Sequence, residues 1–536
     1  MPYLKWVGKE KIVNHHKEVP YCVLKRKYSF DSGGEHAEDN GSENMIIHGD
    51  NLYALKSLLP KYEGKIKCIY IDPPYNTGNK DWCYNDNVDA PIFQKWLQDA
   101  LKEKESERFV HIDDLNRHDK WLCMMYPRLS LIHKLMSKDG VIFISIDDNE
   151  LFNLKCICDE IFGSSNCIAT LVWKKKSGGG SDTRFIAVDH EYVLVYAKDQ
   201  TIQDRWFIPM TEEQRKDYKY RDSNYERYGP YKIKNLYQSG IDMNRPNLRY
   251  AIISPEGTEI WPPTIWRWSK ETFNEALSNG EIEFVKKKDG MWNVYTKMYL
   301  HKGDSEYQVK PRSILLNSGI TRDGNKEIKE LFGDSVFDYP KPTKLIMDLI
   351  SIVTDEGDII LDSFAGSGTT AHAILKLNKN DGIHRKFIMI EQSPDYAETV
   401  TAERVKRVIS GYGEYDGIDS SFSFYTLGDP LFIDDCLNEK IPIELIREYI
   451  FYSETRQQYF KDGCKNNFHL GTTNGTAYYF YYKPNQETVL NETSFESIKI
   501  DTNSHVIFAE SCVLSKEQLQ KNGIIFKKIS RDISRV

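Results

Sequence analysis

The sequence predicts an α/β fold in which a doubly wound, mostly parallel sheet is built from two separate stretches of chain. A second domain is inserted between those stretches, and a small α/β domain closes the chain. Three observations predict this. Strand and helix patterns alternate over residues 66–162, the alternation returns from 343 to 409, and the stretch between is rich in Trp, Tyr, Arg and Pro without that rhythm. Strands separated by helices of about 10–15 residues imply parallel pairing through crossover helices.

In chain order, IKCIYI (66–71) is a short apolar run suited to a buried parallel strand. KWLCMMYPRLSLIHKLMSK (120–138) has helical apolar spacing, with a kink or break expected at Pro127; Asp139-Gly140 ends it and VIFISI (141–146) is the next strand. ELFNLKCICDEIF (150–162) is again amphipathic. Downstream, TKLIMDLISIV (343–353) reads as helix, DIILD (358–362) as strand, TTAHAILKL (369–377) as helix, KFIMIE (386–391) as strand and YAETVTAERVKRVI (396–409) as helix.

Lys174-Lys175-Lys176-Ser177 runs into Gly178, Gly179, Gly180 and Ser181, a stretch that reads as a segment leaving a structured domain. The predicted domains are therefore 1–168, 169–334, 335–413 and 414–536. In the last of these, Asn474-Gly475 is a hairpin turn signal before TAYYFYYKP. IIFKKIS then follows a short helical stretch.

A chain of 536 residues should form about three or four domains. Hydrophobic residues at 40% and charged residues at 28% are a globular composition. No run of 18 uncharged apolar residues occurs, and MPYLKWVGKEK lacks the apolar core of a signal peptide. The expectation is a cytoplasmic protein without a membrane span. Ten cysteines without a CxxC pair predict reduced thiols and no metal site.

The net charge of −8 does not advertise nucleic-acid binding. Its distribution does more. Residues 170–330 carry 27 Lys/Arg against 23 Asp/Glu, and 214–249 carry nine against four, interleaved with Tyr218, Tyr220, Tyr225, Tyr228, Tyr231 and Tyr237. Basic residues among aromatics suit phosphate contacts with stacking or base-edge contacts. A solvated, loop-rich surface has the same pattern.

Two motifs carry chemistry. Asp72-Pro73-Pro74-Tyr75 follows the strand IKCIYI directly. Carboxyl ends of strands are where open α/β sheets bind ligands. The prolines fix the backbone, so the Asp72 carboxylate and the Pro73 carbonyl can converge on one NH2 donor, while the Tyr75 ring offers a flat face to a planar partner. That is a site for an aromatic amine. The second motif, Asp362-Ser363-Phe364-Ala365-Gly366-Ser367-Gly368-Thr369-Thr370, joins a strand to a helix start, where glycines let backbone approach a ligand. It is neither a Walker A loop nor a full dinucleotide fingerprint. Glu391 ends the next strand, where an acid can accept ribose hydroxyls. A glycine loop and that acid, without a phosphate-binding lysine, fit a nucleoside ligand.

Together DPPYNTG and DSFAGSGTT resemble the catalytic and S-adenosylmethionine motifs of amino-methylating DNA methyltransferases. The catalytic motif comes first here, a permuted order that resembles the β group of these enzymes. In that group the insert is the target-recognition domain. HGDNLYALKSLLPKYEGKIKCIYIDPPYNTGNKDWCYNDN (48–87), KELFGDSVFDYPKPTKLI (329–346) and FKKISRDI (526–533) resemble the Mod subunits of type III restriction-modification systems. The resemblance implies an S-adenosylmethionine methyltransferase fold, N6 methylation of a flipped adenine in duplex DNA, a homodimer, and a separate helicase-nuclease restriction subunit. Asp72, Pro73, Pro74 and Tyr75 would be catalytic. Asp50, Lys341, Pro342, Asp362, Phe364, Gly366, Gly368 and Glu391 would bind the cofactor. N4-cytosine methylation shares the acceptor geometry, and a recognition subunit that directs a nuclease is a further alternative. No Pro-Cys dipeptide occurs, which argues against C5-cytosine chemistry.

Overall fold

The computed structural model describes residues 4–77, 117–178, 185–238, 245–302, 305–433, 436–484, 486–529 and 533. Residues 78–87 of the 48–87 string, Gly179 to Ser181 and residues 530–532 of FKKISRDI lie outside the described residues. Two compact units emerge, one formed by residues 1–204 with 312–536 and the other by Arg205–Pro311.

The larger unit is organised by an eleven-stranded sheet whose strands, in chain order, are β1 (Cys22–Asp31), β2 (Gly34–His36), β3 (Met45–His48), β4 (Ile66–Ile71), β5 (Met136–Ile146), β6 (Cys167–Lys174), β7 (His190–Ala197), β8 (Ile314–Leu315), β9 (Ile359–Asp362), β10 (Lys386–Glu391) and β11 (Phe422–Pro430). Their spatial order is β8-β6-β7-β5-β4-β9-β10-β3-β11-β1-β2. The six strands from β5 to β11 are all parallel. β7 and β6 run antiparallel on one flank, and β1 and β2 on the other. Cys68, Ile69 and Ile71 of β4, Ile360 and Leu361 of β9, and Phe387 to Ile390 of β10 are fully buried. Such unbroken apolar runs are what strands covered on both faces require.

β4 leads through helix α2 (Arg117–Leu135) outward to its neighbour β5, and β9 leads through helix α4 (Thr369–Asp381) outward to β10. The chain thus departs in opposite directions from two adjacent parallel strands. That reversal opens a crevice at their carboxyl ends, the place where doubly wound sheets bind ligands. Helix α1 (Asn51–Tyr62) follows β3 and packs on α2, while α3 (Thr343–Ile350) packs on α4.

Several local expectations shift. Pro127 lies inside α2 without breaking it, and the helix ends at Leu135, because Met136 already pairs with Ile66. The boundary at 169 moves to about 205. The Lys-rich run does not leave the domain; it starts the connection between β6 and β7, both strands of the large sheet. At the other side β8 pairs with β6, so the insert ends near 311 rather than 334. The compact insert has its own core of Leu236, Ile252, Trp266, Phe273, Ala276, Ile282 and Val294 around a three-stranded antiparallel sheet. Tyr218 and Tyr231 are buried inside it, with Lys232 and Lys297 over their rings.

The boundary at 414 shifts too, since β11 inserts between β3 and β1. Beyond it, helix α5 (Ile443–Thr455) packs on α1, and Tyr452 donates to Glu63. A four-stranded sheet follows, with Asn474 and Gly475 both at positive φ in the expected hairpin. Tyr479 and Phe480 of the YYFYY strand are buried core.

One substitution tests the revised boundary. The Phe424 ring, 1% exposed, lies parallel to Tyr28 at 5.1 Å between centroids. Phe424→Ala should destabilise the large unit by about 3–5 kcal/mol in urea unfolding, the range for an aromatic cavity in a core. A loss under about 1 kcal/mol would mean β11 is peripheral.

Candidate active site

Asp72 leaves the end of β4, and the turn after it is tethered at two points. The Trp121 indole N–H donates to the Pro74 carbonyl at 2.7 Å. Asn76, at φ 56°, donates its side-chain amide to Glu150. Glu150 is fully buried, has His118 Nδ1 at 2.6 Å, and accepts from Asn153 at 2.8 Å. A non-glycine residue at positive φ costs energy unless its surroundings hold it there, and Glu150 supplies that hold.

One strand over, the loop after β9 folds around Asp362. This carboxyl is 2% exposed and accepts from the Phe364 N–H at 2.9 Å and the Thr370 hydroxyl at 2.6 Å. Gly366 and Gly368 have φ of 50° and 74°. A Cβ on Gly368 would come 2.9 Å from the Thr401 carbonyl, so only glycine fits there. Arg404, fully buried, donates to Ser367 and Thr369, to His372 Nδ1 and to Glu327. Burial lowers its pKa to about 10, a shift that the Glu327 carboxylate opposes. This arginine ties the loop to the start of α4.

The two loops face one narrow cleft. Tyr70 and Asp72 line it from β4; Asp362, Phe364, Gly366 and Thr370 from β9 onward; and Phe337, Tyr339, Pro340 and Lys341 from the segment before α3. Asp72, Asp362, Phe364, Gly366 and Lys341, all singled out in the sequence, thus line one cleft. Glu391 does not line the cleft. Its carboxylate is 1% exposed and accepts from the Gly366 N–H at 2.7 Å and the Ser393 N–H at 2.8 Å, so it shapes the glycine loop from behind. Asp50 caps α1 through the Leu52 N–H at 2.8 Å and meets Arg128 at 3.3 Å. It stands beside the end of β10, where the Gly49 N–H bonds the Glu391 carbonyl. Pro342 begins α3 as its cap and packs close to Gly319.

The Tyr75 ring is not an open platform. Tyr75 is 7% exposed, and its hydroxyl lies 2.9 Å from Asp72 and 3.0 Å from Glu191, two acceptors that share its single proton, while accepting from Lys341 at 2.9 Å. The face that the sequence reading offered to a planar partner is buried here, and the phenol is held among charges. Lys341 Nζ lies 2.6 Å from Asp72 Oδ2, 3.5 Å from Glu191 Oε2 and 4.9 Å from the Tyr75 ring centre. Lys175 meets the other Glu191 oxygen at 3.1 Å. Burial works against the Lys341 ammonium, yet Asp72 and Glu191 outweigh it and hold its pKa above the ordinary value. Burial likewise pushes Glu191 up, and Lys341 with Lys175 overrides it, leaving the carboxylate lowered.

Glu191, Lys175 and Glu150 escaped the sequence reading. Glu191 opens an apolar strand, HEYVLVYA, and an acid at a strand start gives no signal of its own. Gly324 also escaped. A Cβ there would collide with the Pro340 carbonyl and sit 3.0 Å from the Lys341 carbonyl carbon, so this glycine lets helix 321–332 press against the segment that aims Lys341.

A sequence profile described as DNA methylase matches residues 66–403, more than half of the chain. The chain belongs to this DNA methylase family. The methylase is 35% identical over 385 residues to the StyLTI Mod subunit of a type III restriction-modification enzyme from Salmonella typhimurium, a match covering 71% of this chain and 56% of that one. It is 34% identical to the type II methyltransferase M.KpnI of Klebsiella pneumoniae, covering 67% of this chain and 83% of that one. The methylase therefore spans a little over half the length of the Mod relative. Among solved structures it matches a DNA modification methylase of Thermus thermophilus complexed with S-adenosyl-L-methionine, at 14% identity and a TM-score of 0.32, over 72% of this chain and 99% of that one. That likeness is too distant to bear on geometry. The six parallel strands with their reversal at β4 and β9 are the fold expected of the family. No helix among the described residues is long and apolar enough to cross a membrane, and no metal-binding cluster occurs among them.

The cleft's acid has a pH signature. Burial raises Asp362 to about 7 from an ordinary 3.8, with Asp72 and Glu391 adding to the rise. An acid raised in the folded state stabilises folding relatively below its unfolded pKa, and that contribution is lost as pH climbs to about 7. Asp362→Asn should therefore gain on wild type by on the order of 3–4 kcal/mol between pH 4 and 8. Urea unfolding across that range reads the difference; parallel stabilities would show that Asp362 stays ionised throughout.

Proposed function

We propose that this methylase transfers a methyl group from S-adenosylmethionine to N6 of an adenine flipped out of duplex DNA, as the modification subunit of a type III restriction-modification system. One observation carries the reading: Asp72 and Asp362 stand at the ends of adjacent parallel strands and face the same cleft. An acceptor for an amine and a pocket for a nucleoside are thereby placed side by side.

The cleft fits the cofactor on its own chemistry. Asp362 is a buried carboxyl with no ion pair among the described residues, its ionisation held back by burial. A cationic ligand would relieve that burden. The tight approach at Gly368 keeps the loop backbone turned as a nucleoside site needs, with Phe364 and Gly366 lining the cleft, Asp50 capping the helix after β3, Glu391 bracing the loop and Pro342 fixing the start of α3. When bound, S-adenosylmethionine supplies an electrophilic methyl group on sulfur.

The chain's own residues do the rest. The lone pair of an exocyclic amine is delocalised into its ring. Accepting its two N–H groups, at the Asp72 carboxylate and the Pro73 carbonyl, favours a pyramidal nitrogen with that lone pair available. Holding the amine in line then replaces a bimolecular encounter by a positioned one. N6 lies within the duplex, so the base must leave the stack, and a closely fitting pocket offsets that cost. The insert, with its lysines and arginines among tyrosines, is assigned to duplex binding. The likeness to the Mod subunit supports a partner restriction subunit, and with it a homodimer, which light scattering of the full chain would reveal.

Labelled S-adenosylmethionine and genomic DNA from cells lacking the enzyme test the reading, with digestion to nucleosides afterwards. N6-methyladenine is the expected product, and N4-methylcytosine alone would redirect the assignment. Asp72→Ala should lower transfer by at least about 100-fold, roughly 2.7 kcal/mol of barrier, with cofactor affinity within about twofold. Tyr75→Phe, which removes a hydroxyl shared by Asp72, Glu191 and Lys341, should cost about tenfold. Calorimetry should show cofactor affinity rising between pH 6 and 8 as Asp362 ionises, a rise that Asp362→Asn flattens.

A further inference from the structure

Both oxygens of Asp72 are already taken. Lys341 donates to Oδ2 at 2.6 Å and Tyr75 donates to Oδ1 at 2.9 Å. A carboxylate oxygen can accept a second donor, but an amine that shares Oδ2 with an ammonium meets an acceptor whose charge is already engaged, so the Asp72 carboxylate serves the amine fully only if Lys341 yields. It sits in a buried place, with the Tyr75 ring at 4.9 Å and the Trp173 ring at 6.0 Å. Leaving a buried ammonium without a carboxylate is strongly unfavourable. Glu191 removes that obstacle. Its Oε2 is 3.5 Å from Lys341, needs only one more donor beside Tyr75, and Lys175 already occupies Oε1. Two carboxylates and two ammoniums make the cluster neutral, and it stays neutral wherever Lys341 settles.

On the methyl-transfer reading above, we propose that Glu191 is a positioning residue that serves as the second seat for Lys341. As the target amine enters, Lys341 passes from Asp72 to Glu191, and Asp72 is released to accept the amine's N–H. Trp173 holds its part of the path in place, since its indole N–H donates to the Gly319 carbonyl at 2.8 Å. No bond to carbon changes in this exchange; one ammonium trades one carboxylate for another within about an ångström of movement.

The test compares wild type, Glu191→Gln, Glu191→Asp and Glu191→Gln with Lys341→Met as full chains, in single-turnover methyl transfer to the same genomic DNA. Glu191→Gln keeps the size but cannot seat an ammonium, so transfer should fall about 10- to 100-fold with cofactor affinity within about twofold. Glu191→Asp should recover most of the rate. Adding Lys341→Met to Glu191→Gln removes the plug and should raise the rate above Glu191→Gln alone. A merely structural Glu191 predicts the opposite, with the second change compounding the damage. Full activity in Glu191→Gln, or a double variant slower than Glu191→Gln, overturns the exchange. A crystal structure of wild type with adenosine is the second readout. With adenosine's amino group on Asp72, Lys341 should lie within hydrogen-bond distance of Glu191 and outside that of Asp72, and adenosine seated there with Lys341 still on Asp72 overturns the exchange. A wild type that transfers no methyl group removes the functional reading alone, because the adenosine complex still decides where Lys341 sits.

Discussion

Everything in the cleft depends on one pairing. β4 and β9 lie side by side and parallel, with Cys68 opposite Ile360 and Ile69 opposite Leu361, although nearly three hundred residues of chain separate them. The cost of closing so long a loop grows only with the logarithm of its length. Against it stand two strands buried on both faces, with Ile69, Ile71, Ile360 and Leu361 fully covered. Each such side chain contributes about 1.5–3 kcal/mol on burial. Once the register is set, Asp72 and Asp362 have nowhere to go but the same edge.

That edge gathers acids, and the structure manages them in different ways. Asp72 and Glu191 are answered by Lys341 and Lys175, which stand directly against them. Asp362 has no such cation among the described residues and shifts toward its neutral form. Glu391 and Glu150 spend their charge on backbone amides and side-chain amides, which turns two acids into rigid braces for the loops. Position in the fold, more than residue type, decides whether an acid binds, braces or balances. The reading of Glu391 as a ribose acceptor rested on its place at a strand end; in the fold each of its oxygens also accepts a backbone N–H, one from Gly366 in the glycine loop and one from Ser393 after β10.

The legible parts of this molecule were those whose signal is local. Apolar runs between helical stretches marked the parallel strands; Pro-Pro after a strand marked a fixed turn; glycines at 366 and 368 marked a loop with left-handed backbone. Asn474-Gly475 named its own hairpin. What stayed hidden was long-range. Glu191 and Lys175 meet only because β6 and β7 fold back antiparallel beside β5, and nothing in either strand's own residues announces it. Gly324 looked like an ordinary residue in a polar helix, and its reason is a carbonyl sixteen positions away. The lysine run before Gly178 misled for the same cause: a connection between two strands of one sheet has the composition of a linker between domains.

The insert shows why such a chain can change one property without disturbing another. The unit of Arg205–Pro311 closes on itself where it begins and ends, with Ile208 and Val309 bonding each other's backbone in both directions. Its core of Leu236, Trp266, Phe273 and Val294 is complete without help from the large sheet. Chain ends that lie close together are what makes the insertion of a domain tolerable. Lys175 and Glu191 come before that neck and Lys341 after it, so the charges that govern Asp72 belong wholly to the host. Residues on the insert's surface, such as Trp261 at 53% exposure, lie outside that core. The residues around Asp72 are tied to one another, because each one's charge is already answered by another's.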